Sequence, residues 1–143
     1  VMRALGLSSY AAGALESLEL AVRAPGAEAR AVGALHGETL EGVAVFGEFA
    51  GAVGAALLHL VVVDEGARRS GVGRALVEAA VVHARNEASR FVLAEAPDDA
   101  RALPGAREFL AALGFREESR VEDFFRDGIA LTFVRRDLET RGH

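Results

Sequence analysis

Leu58-His59-Leu60-Val61-Val62-Val63-Asp64-Glu65-Gly66-Ala67-Arg68-Arg69-Ser70-Gly71-Val72-Gly73-Arg74-Ala75-Leu76 is the stretch on which the fold turns. Its first part belongs to Ala56 to Val63, a nearly unbroken apolar run closed by Asp64-Glu65-Gly66. A run of that length suits a strand covered on both faces. From Gly71 to Glu87 the period changes: Val72, Leu76, Ala79, Ala80 and His83 fall on one stripe, which predicts a helix. Between strand and helix lies Arg68-Arg69-Ser70-Gly71-Val72-Gly73, a composition suited to an anion. Glycines let the backbone approach a ligand, and the first N–H groups of a helix have no internal partner and sit at the positive end of its dipole. Arg68, Arg69 and Arg74 add charge, and a guanidinium grips a phosphate with two hydrogen bonds. The residues alone leave open a solvated basic turn with a glycine kink.

Working outward, Phe91 to Ala96 reads as a second apolar strand. Pro104 to Leu113 reads as a second helix, with the proline near its first turn and Gly114 as its left-handed cap. Phe115 to Phe125 and Ile129 to Arg136 flank Asp127-Gly128, a two-residue hairpin signal. Upstream, Tyr10 to Arg23 carries Leu15, Leu18 and Val22 at helical spacing, and Pro25-Gly26 stops it. Ala31 to Leu35 is a strand closed by the turn His36-Gly37-Glu38. Leu40 to Phe49 is another, and the glycine-rich residues 50–54 turn the chain. The order predicts an α/β fold with a mixed sheet.

The chain has 143 residues, enough for one domain spanning 1–143, and 51% of them are apolar, enough for one core. There is no cysteine, which excludes disulfides, thiolate catalysis and Cys-bound zinc, and no metal is expected. The net charge of −5 argues against a dedicated nucleic-acid binder. No apolar run reaches bilayer length, so no membrane association is expected. Val1 to Gly6 does not read as a signal peptide, and a cytoplasmic location fits.

The stretch Leu58 to Leu76 resembles the central motif of the GNAT N-acetyltransferase superfamily: a strand, a short turn, Arg/Gln-x-x-Gly-x-Gly/Ala, and a helix. Ala106-Arg107-Glu108-Phe109-Leu110-Ala111-Ala112-Leu113-Gly114-Phe115 resembles the Ala-Arg-x-Phe-Tyr-x-x-x-Gly-Phe helix and turn of the same family. The hairpin Phe124 to Leu138 resembles its last two strands, so the likeness covers roughly Leu40 to Leu138. It implies a mixed, mostly antiparallel central sheet with a V-shaped splay between the two central strands and helices on both faces. It also implies acetyl-CoA as acyl-donor co-substrate and a small-molecule amine or peptide as acceptor. Backbone groups of Val61, Val62 and Val63 would pair with the pantetheine arm, and N–H groups around Arg68, Arg69, Ser70, Gly71, Val72, Gly73 and Arg74 would cradle the pyrophosphate. The thioester would lie in the splay, open to direct attack by the amine.

The sequence departs from the family in three places. A tyrosine acid is usual where this chain has Leu110, and its only tyrosine is Tyr10. Another group or a water would then protonate the thiolate, or the thiolate, from a thiol of pKa about 8.5, leaves unaided. Otherwise the domain binds acyl-CoA without catalysis, which is the chief alternative function. Some members of the family use a glutamate base on the central strand, at the place where Leu57 stands here. His59, two residues on, would share its face in a regular strand, and an imidazole of pKa about 6.5 suits a base; the other reading is a packed polar residue. Glu95, near the end of the following strand, is the rival base, or else a carboxylate facing water. His83, on the helix stripe, reads as structural. Asp98 and Asp99 would attract a cationic amine or serve the turn. Lastly, Val1 to Ser9 offers no convincing strand where the family begins with one: either that first strand is missing from this sequence or a partner chain, as in a homodimer, supplies it, and an exposed sheet edge invites such pairing. A dinucleotide-binding fold is disfavoured because no Gly-x-Gly-x-x-Gly follows an early strand. A purely structural module leaves the arginine-glycine loop without a purpose.

Overall fold

The computed structural model describes residues 19–24, 26, 29–68 and 70–139. Six strands form one sheet: β1 (Arg30–His36), β2 (Thr39–Glu48), β3 (Ala55–Val63), β4 (Phe91–Pro97), β5 (Arg116–Arg126) and β6 (Ile129–Asp137). Two helices are inserted, α1 (Val72–Asn86) between β3 and β4, and α2 (Ala106–Ala112) between β4 and β5. The spatial order is β1-β2-β3-β4-β6-β5. Every neighbouring pair is antiparallel except β3 and β4, which are parallel and joined by α1. A parallel pair needs such a crossover, whereas the hairpins close through short turns. Residues 19–23 are helical, as read; the rest of the helix expected from Tyr10, and the stretch Val1 to Ser9, lie outside the described residues.

Alternation along the strands sends side chains to two layers. Ala44, Phe46, Ala56, Leu58, Val92, Ala94 and Ala96 meet Leu76, Val77, Ala80, Val81 and Ala84 of α1, with Phe109 and Leu110 of α2 packed against the same cluster. Val45 points the other way, where it buries with Ala21 and Ala29 against Leu60. Helical residues thus cover both faces of the sheet. No helix among the described residues is long and apolar enough to cross a membrane.

The α2 helix is shorter than the sequence suggests. Gly105 holds a left-handed conformation (φ 76°) and caps the helix, so regular helix begins only at Ala106 and Pro104 stays outside its first turn. α1 seats directly on β2 at Gly42. A Cβ there would come within 2.7 Å of the Val62 carbonyl oxygen and 2.9 Å of Leu76 Cδ1. Gly42→Ala is therefore expected to destabilise the domain by about 1–3 kcal/mol through overpacking. A denaturant-unfolding midpoint that does not fall would contradict this packing.

Candidate active site

β3 and β4 pair from Ala55↔Phe91 to Leu58↔Ala94 and no further. β3 nevertheless continues to Val63 along β2, through Val45↔Leu60, Ala44↔Val61, Val43↔Val62 and Gly42↔Val63. β4 continues to Pro97 along β6, through Glu95↔Phe133, Ala96↔Thr132 and Pro97↔Leu131. Each strand past Leu58 and Ala94 follows a different neighbour, and the sheet forks. Val61, Val62 and Val63 keep β2 on one edge and, past the fork, have left β4 on the other.

His59 and Glu95 are the first residues of each arm beyond the last pair. His59 is half-buried and Glu95 exposed. The β2–β3 ladder passes from Val45↔Leu60 to Phe46↔Leu58, so His59 is an extra residue in a β-bulge. A bulge bends its strand and re-aims side chains. Strict alternation therefore does not run through His59, and counting two residues from Leu57 does not fix the face on which it lies. Glu95 sits between Ala94 and Ala96, both buried against α1 and α2, and so points to the opposite face.

Beyond Val63 the chain turns sharply. The Asp64 N–H donates to the Glu41 carbonyl at 2.7 Å, and a single 3₁₀ turn, Glu65–Ala67, leads to the arginine-glycine loop. The Ser70 hydroxyl donates to the Ala67 carbonyl. Arg68 Nε donates to the Val63 carbonyl at 3.4 Å, and Arg68, Ser70 and Arg74 are exposed. Arg69 lies outside the described residues. Gly71 caps α1 in the left-handed region (φ 86°), no side chain caps the helix, and no acidic residue stands in its first turn. A Cβ added at Gly71 would meet nothing within 4 Å, so the space beside the helix N-terminus is open there. Exposed guanidinium groups, helix N–H donors without a side-chain cap and a first turn free of acidic residues together suit an anion.

Gly73 has a different reason to be glycine than the sequence suggests. Its Cβ would lie 3.1 Å from Phe109 Cζ and 3.3 Å from Val63 Cγ2. The space is needed by the protein's own side chains, because Phe109 wedges α2 against the first turn of α1 and the open arm of β3. Val72 and Gly73 are half-buried accordingly. Leu110, where the family carries tyrosine, is packed against the main core, and its carbonyl accepts the N–H groups of Leu113 and Phe115 at 3.0 Å each.

The two aspartates after β4 serve structure. Asp99 is buried, and its Oδ1 accepts the N–H groups of Arg101 and Ala102 at 3.2 and 3.1 Å. Asp98 accepts from Arg120 at 2.7 Å and pairs with Arg107 at 3.3 Å; Arg107 in turn donates to Glu117 at 2.8 Å. These bonds tie α2 and β5 to the open arm of β4. The Arg120 hydrogen bond, with Arg107 beside it, holds the Asp98 carboxyl below its ordinary value of 3.8. A depressed value stabilises the fold above pH 3.8 and the contribution disappears as pH falls through the lower, folded-state value. Asp98→Asn is expected to lower stability at pH 7 and to flatten the acid limb of the stability profile below pH 4. Parallel acid limbs for wild type and variant would contradict the pairing. His83 is also structural: its ring lies 5.2 Å from that of Phe46 and its Nε2 3.9 Å from Glu87.

Sequence reasoning missed the bulge at His59, the wedge of Phe109 on Gly73, and the Asp98–Arg107–Arg120 cluster. A bulge leaves no mark in residue identities, and the arginines converge from elements far apart in sequence. No group of three or more metal-ligating side chains occurs among the described residues.

A mixed, mostly antiparallel sheet whose one parallel pair is joined through a glycine-capped helix is the architecture the motifs imply. The acetyltransferase (GNAT) family profile matches residues 7–115. The chain belongs to the GNAT acetyltransferase family. Solved structures agree with this assignment. A GNAT-family protein from Desulfovibrio desulfuricans is similar with a TM-score of 0.80 and 25% identity, over 87% of this chain and 79% of that one. An aminoglycoside 6′-N-acetyltransferase complexed with coenzyme A superposes with a TM-score of 0.77 at 16% identity, over 92% and 83% of the two chains. A GNAT acetyltransferase from Elizabethkingia anophelis with acetyl-CoA bound gives 0.75 at 13% identity, over 96% and 90%. At those last two identities the likeness is one of fold. Among curated proteins none matches this GNAT chain.

Proposed function

We propose that this domain is an acyl-CoA-dependent N-acetyltransferase that moves an acetyl group from acetyl-CoA to a primary amine by direct attack. The observation that carries the reading is the coincidence of the fork with the open, positively charged N-terminus of α1 at one end of the sheet. Acetyl-CoA supplies an activated thioester when bound.

Arg68, Arg74 and the first N–H groups of α1 would hold its pyrophosphate. The edge of Val61 to Val63 that has left β4 would take the pantetheine arm as an added strand, in the manner of β-augmentation. The thioester carbonyl would then stand between His59 and Glu95. The acceptor nitrogen forms the new C–N bond, the C–S bond breaks, and the amine proton passes to His59 or Glu95, directly or through a water. Leu110 donates no proton, so water or the solvent-facing carboxyl groups of the fork would return one to the sulfur.

Titration with acetyl-CoA, followed by thiol release in a panel of amines, tests the reading. Micromolar binding with amine-dependent thiol release is the expected result. Binding without release by any amine would mean a domain that senses acyl-CoA without turning it over. No binding would refute the donor site.

A further inference from the structure

Arg74 and Glu78 stand about one turn apart on α1, and Glu78 is the first acidic residue of that helix. Side chains four residues apart on a helix are neighbours, with Cβ atoms about 5–6 Å from each other. Opposite charges at that spacing attract and would ordinarily pair. These two do not: Arg74 is exposed and makes no ion pair among the described residues.

The carboxylate of Glu78 is already taken, from across the sheet. Arg136 of β6 donates from Nη1 to Glu78 Oε1 at 2.7 Å and from Nη2 to Oε2 at 3.5 Å. Both carboxylate oxygens are thus met by one guanidinium, the planar two-point geometry that arginine favours. The strand sets this up. Arg136 stands opposite Val92 and two residues from Val134, both buried in the core against α1, so its side chain leaves the sheet on the α1 face. Its stem runs beside Gly114, which follows α2 in the left-handed region (φ 89°). A Cβ at Gly114 would lie 3.8 Å from Arg136 Cδ and 3.9 Å from Nε. The Arg136 side chain is only 18% exposed. An arginine confined in this way loses less freedom on pairing than one on an open surface.

Arg74 is nevertheless close enough to feel Glu78. The Arg136 hydrogen bond holds the Glu78 carboxyl below its ordinary value of 4.5, and the charges of Arg136, Arg74 and Arg85 act in the same direction. Arg74 therefore sits within electrostatic reach of a carboxylate that it does not bind.

We infer that Arg136 is a positioning residue for donor binding: by occupying the Glu78 carboxylate it leaves Arg74 free for the pyrophosphate of the acyl donor. The inference rests on the donor-site reading above. Without Arg136, Glu78 turns to Arg74 and draws its guanidinium down the helix, away from the N-terminus. It also leaves an uncompensated carboxylate near the place where the phosphates bind. Arg136 acts on the donor through Glu78 and Arg74.

Calorimetry with acetyl-CoA at low salt tests this in a set of variants. Arg136→Met keeps an apolar stem beside Gly114 and removes the charge. It is expected to weaken acetyl-CoA binding about threefold or more, the scale of one competing pair on a helix. Glu78→Gln added to Arg136→Met should restore affinity to within about 1.5-fold of wild type, although the ion pair and its contribution to stability are still missing. In an Arg74→Gln background, where no arginine is left to divert, Arg136→Met should cost less than about 1.5-fold. Arg136→Gln repeats the comparison with a polar side chain, and the same pattern is expected of it. Unchanged affinity in Arg136→Met and Arg136→Gln overturns the inference alone. So does a loss that Glu78→Gln fails to restore, or one that persists in full in the Arg74→Gln background. A wild type that does not bind acetyl-CoA overturns the donor site and this inference with it.

Discussion

Gly71→Asp is expected to abolish acetyl-CoA binding in a domain that remains folded. Gly71 caps α1 at φ 86°, and a Cβ built there meets no atom within 4 Å. The variant therefore has no packing clash. It places a carboxylate where the helix dipole, Arg68 and Arg74 favour an anion, and where the pyrophosphate of the donor would sit. Repulsion and loss of the cradle together should weaken binding by at least about a hundredfold. Gly71→Ala separates the causes: it adds only left-handed strain of about 1 kcal/mol, which keeps affinity within about tenfold of wild type. Gly73→Asp is a less clean experiment, because its side chain would first displace Phe109. Calorimetry on the folded proteins decides the matter; an unchanged acetyl-CoA affinity in Gly71→Asp removes the arginine-glycine loop from the donor site.

His59→Ala should lower turnover by about a hundredfold or more with acetyl-CoA affinity almost intact, since a positioned base contributes on that scale to the chemical step and not to donor binding. The wild-type pH profile should rise through an ionisation that the variant lacks. Glu95→Gln is the parallel test, because the register sets both residues at the first position past the fork. If one variant loses turnover and the other does not, the base is assigned. Near-wild-type turnover in both would mean that the reaction rests on positioning an already deprotonated amine.

Much of this was legible in the residues. The apolar run ending at Val63, the glycines after it and the helical stripe to Glu87 are local patterns, and they placed β3, the loop and α1 within a residue or two. Asp127-Gly128 likewise marked the last hairpin, because only certain residues accept its backbone angles. The site was legible where it depends on backbone chemistry and obscure where it depends on tertiary registration. That His59 falls in a bulge follows from how β2 meets β3, not from the identity of either strand. That Gly73 makes room for Phe109 follows from how α2 folds back over α1, about 36 residues later in a chain whose loops give no distance information. The two aspartates after Pro97 looked equally suited to substrate and to turn. Only the convergence of Arg107 from α2 and Arg120 from β5 shows Asp98 to be an anchor.

The central claim is that the fork and the glycine-capped helix form one acyl-donor site. A crystal structure of the wild type with acetyl-CoA tests it most directly. The expected result is pyrophosphate density within hydrogen-bonding distance of the N–H groups that follow Gly71, the pantetheine arm alongside Val61 to Val63, and the thioester between His59 and Glu95. Density for the coenzyme elsewhere on the surface, with β3 and β4 empty between their open arms, would contradict it.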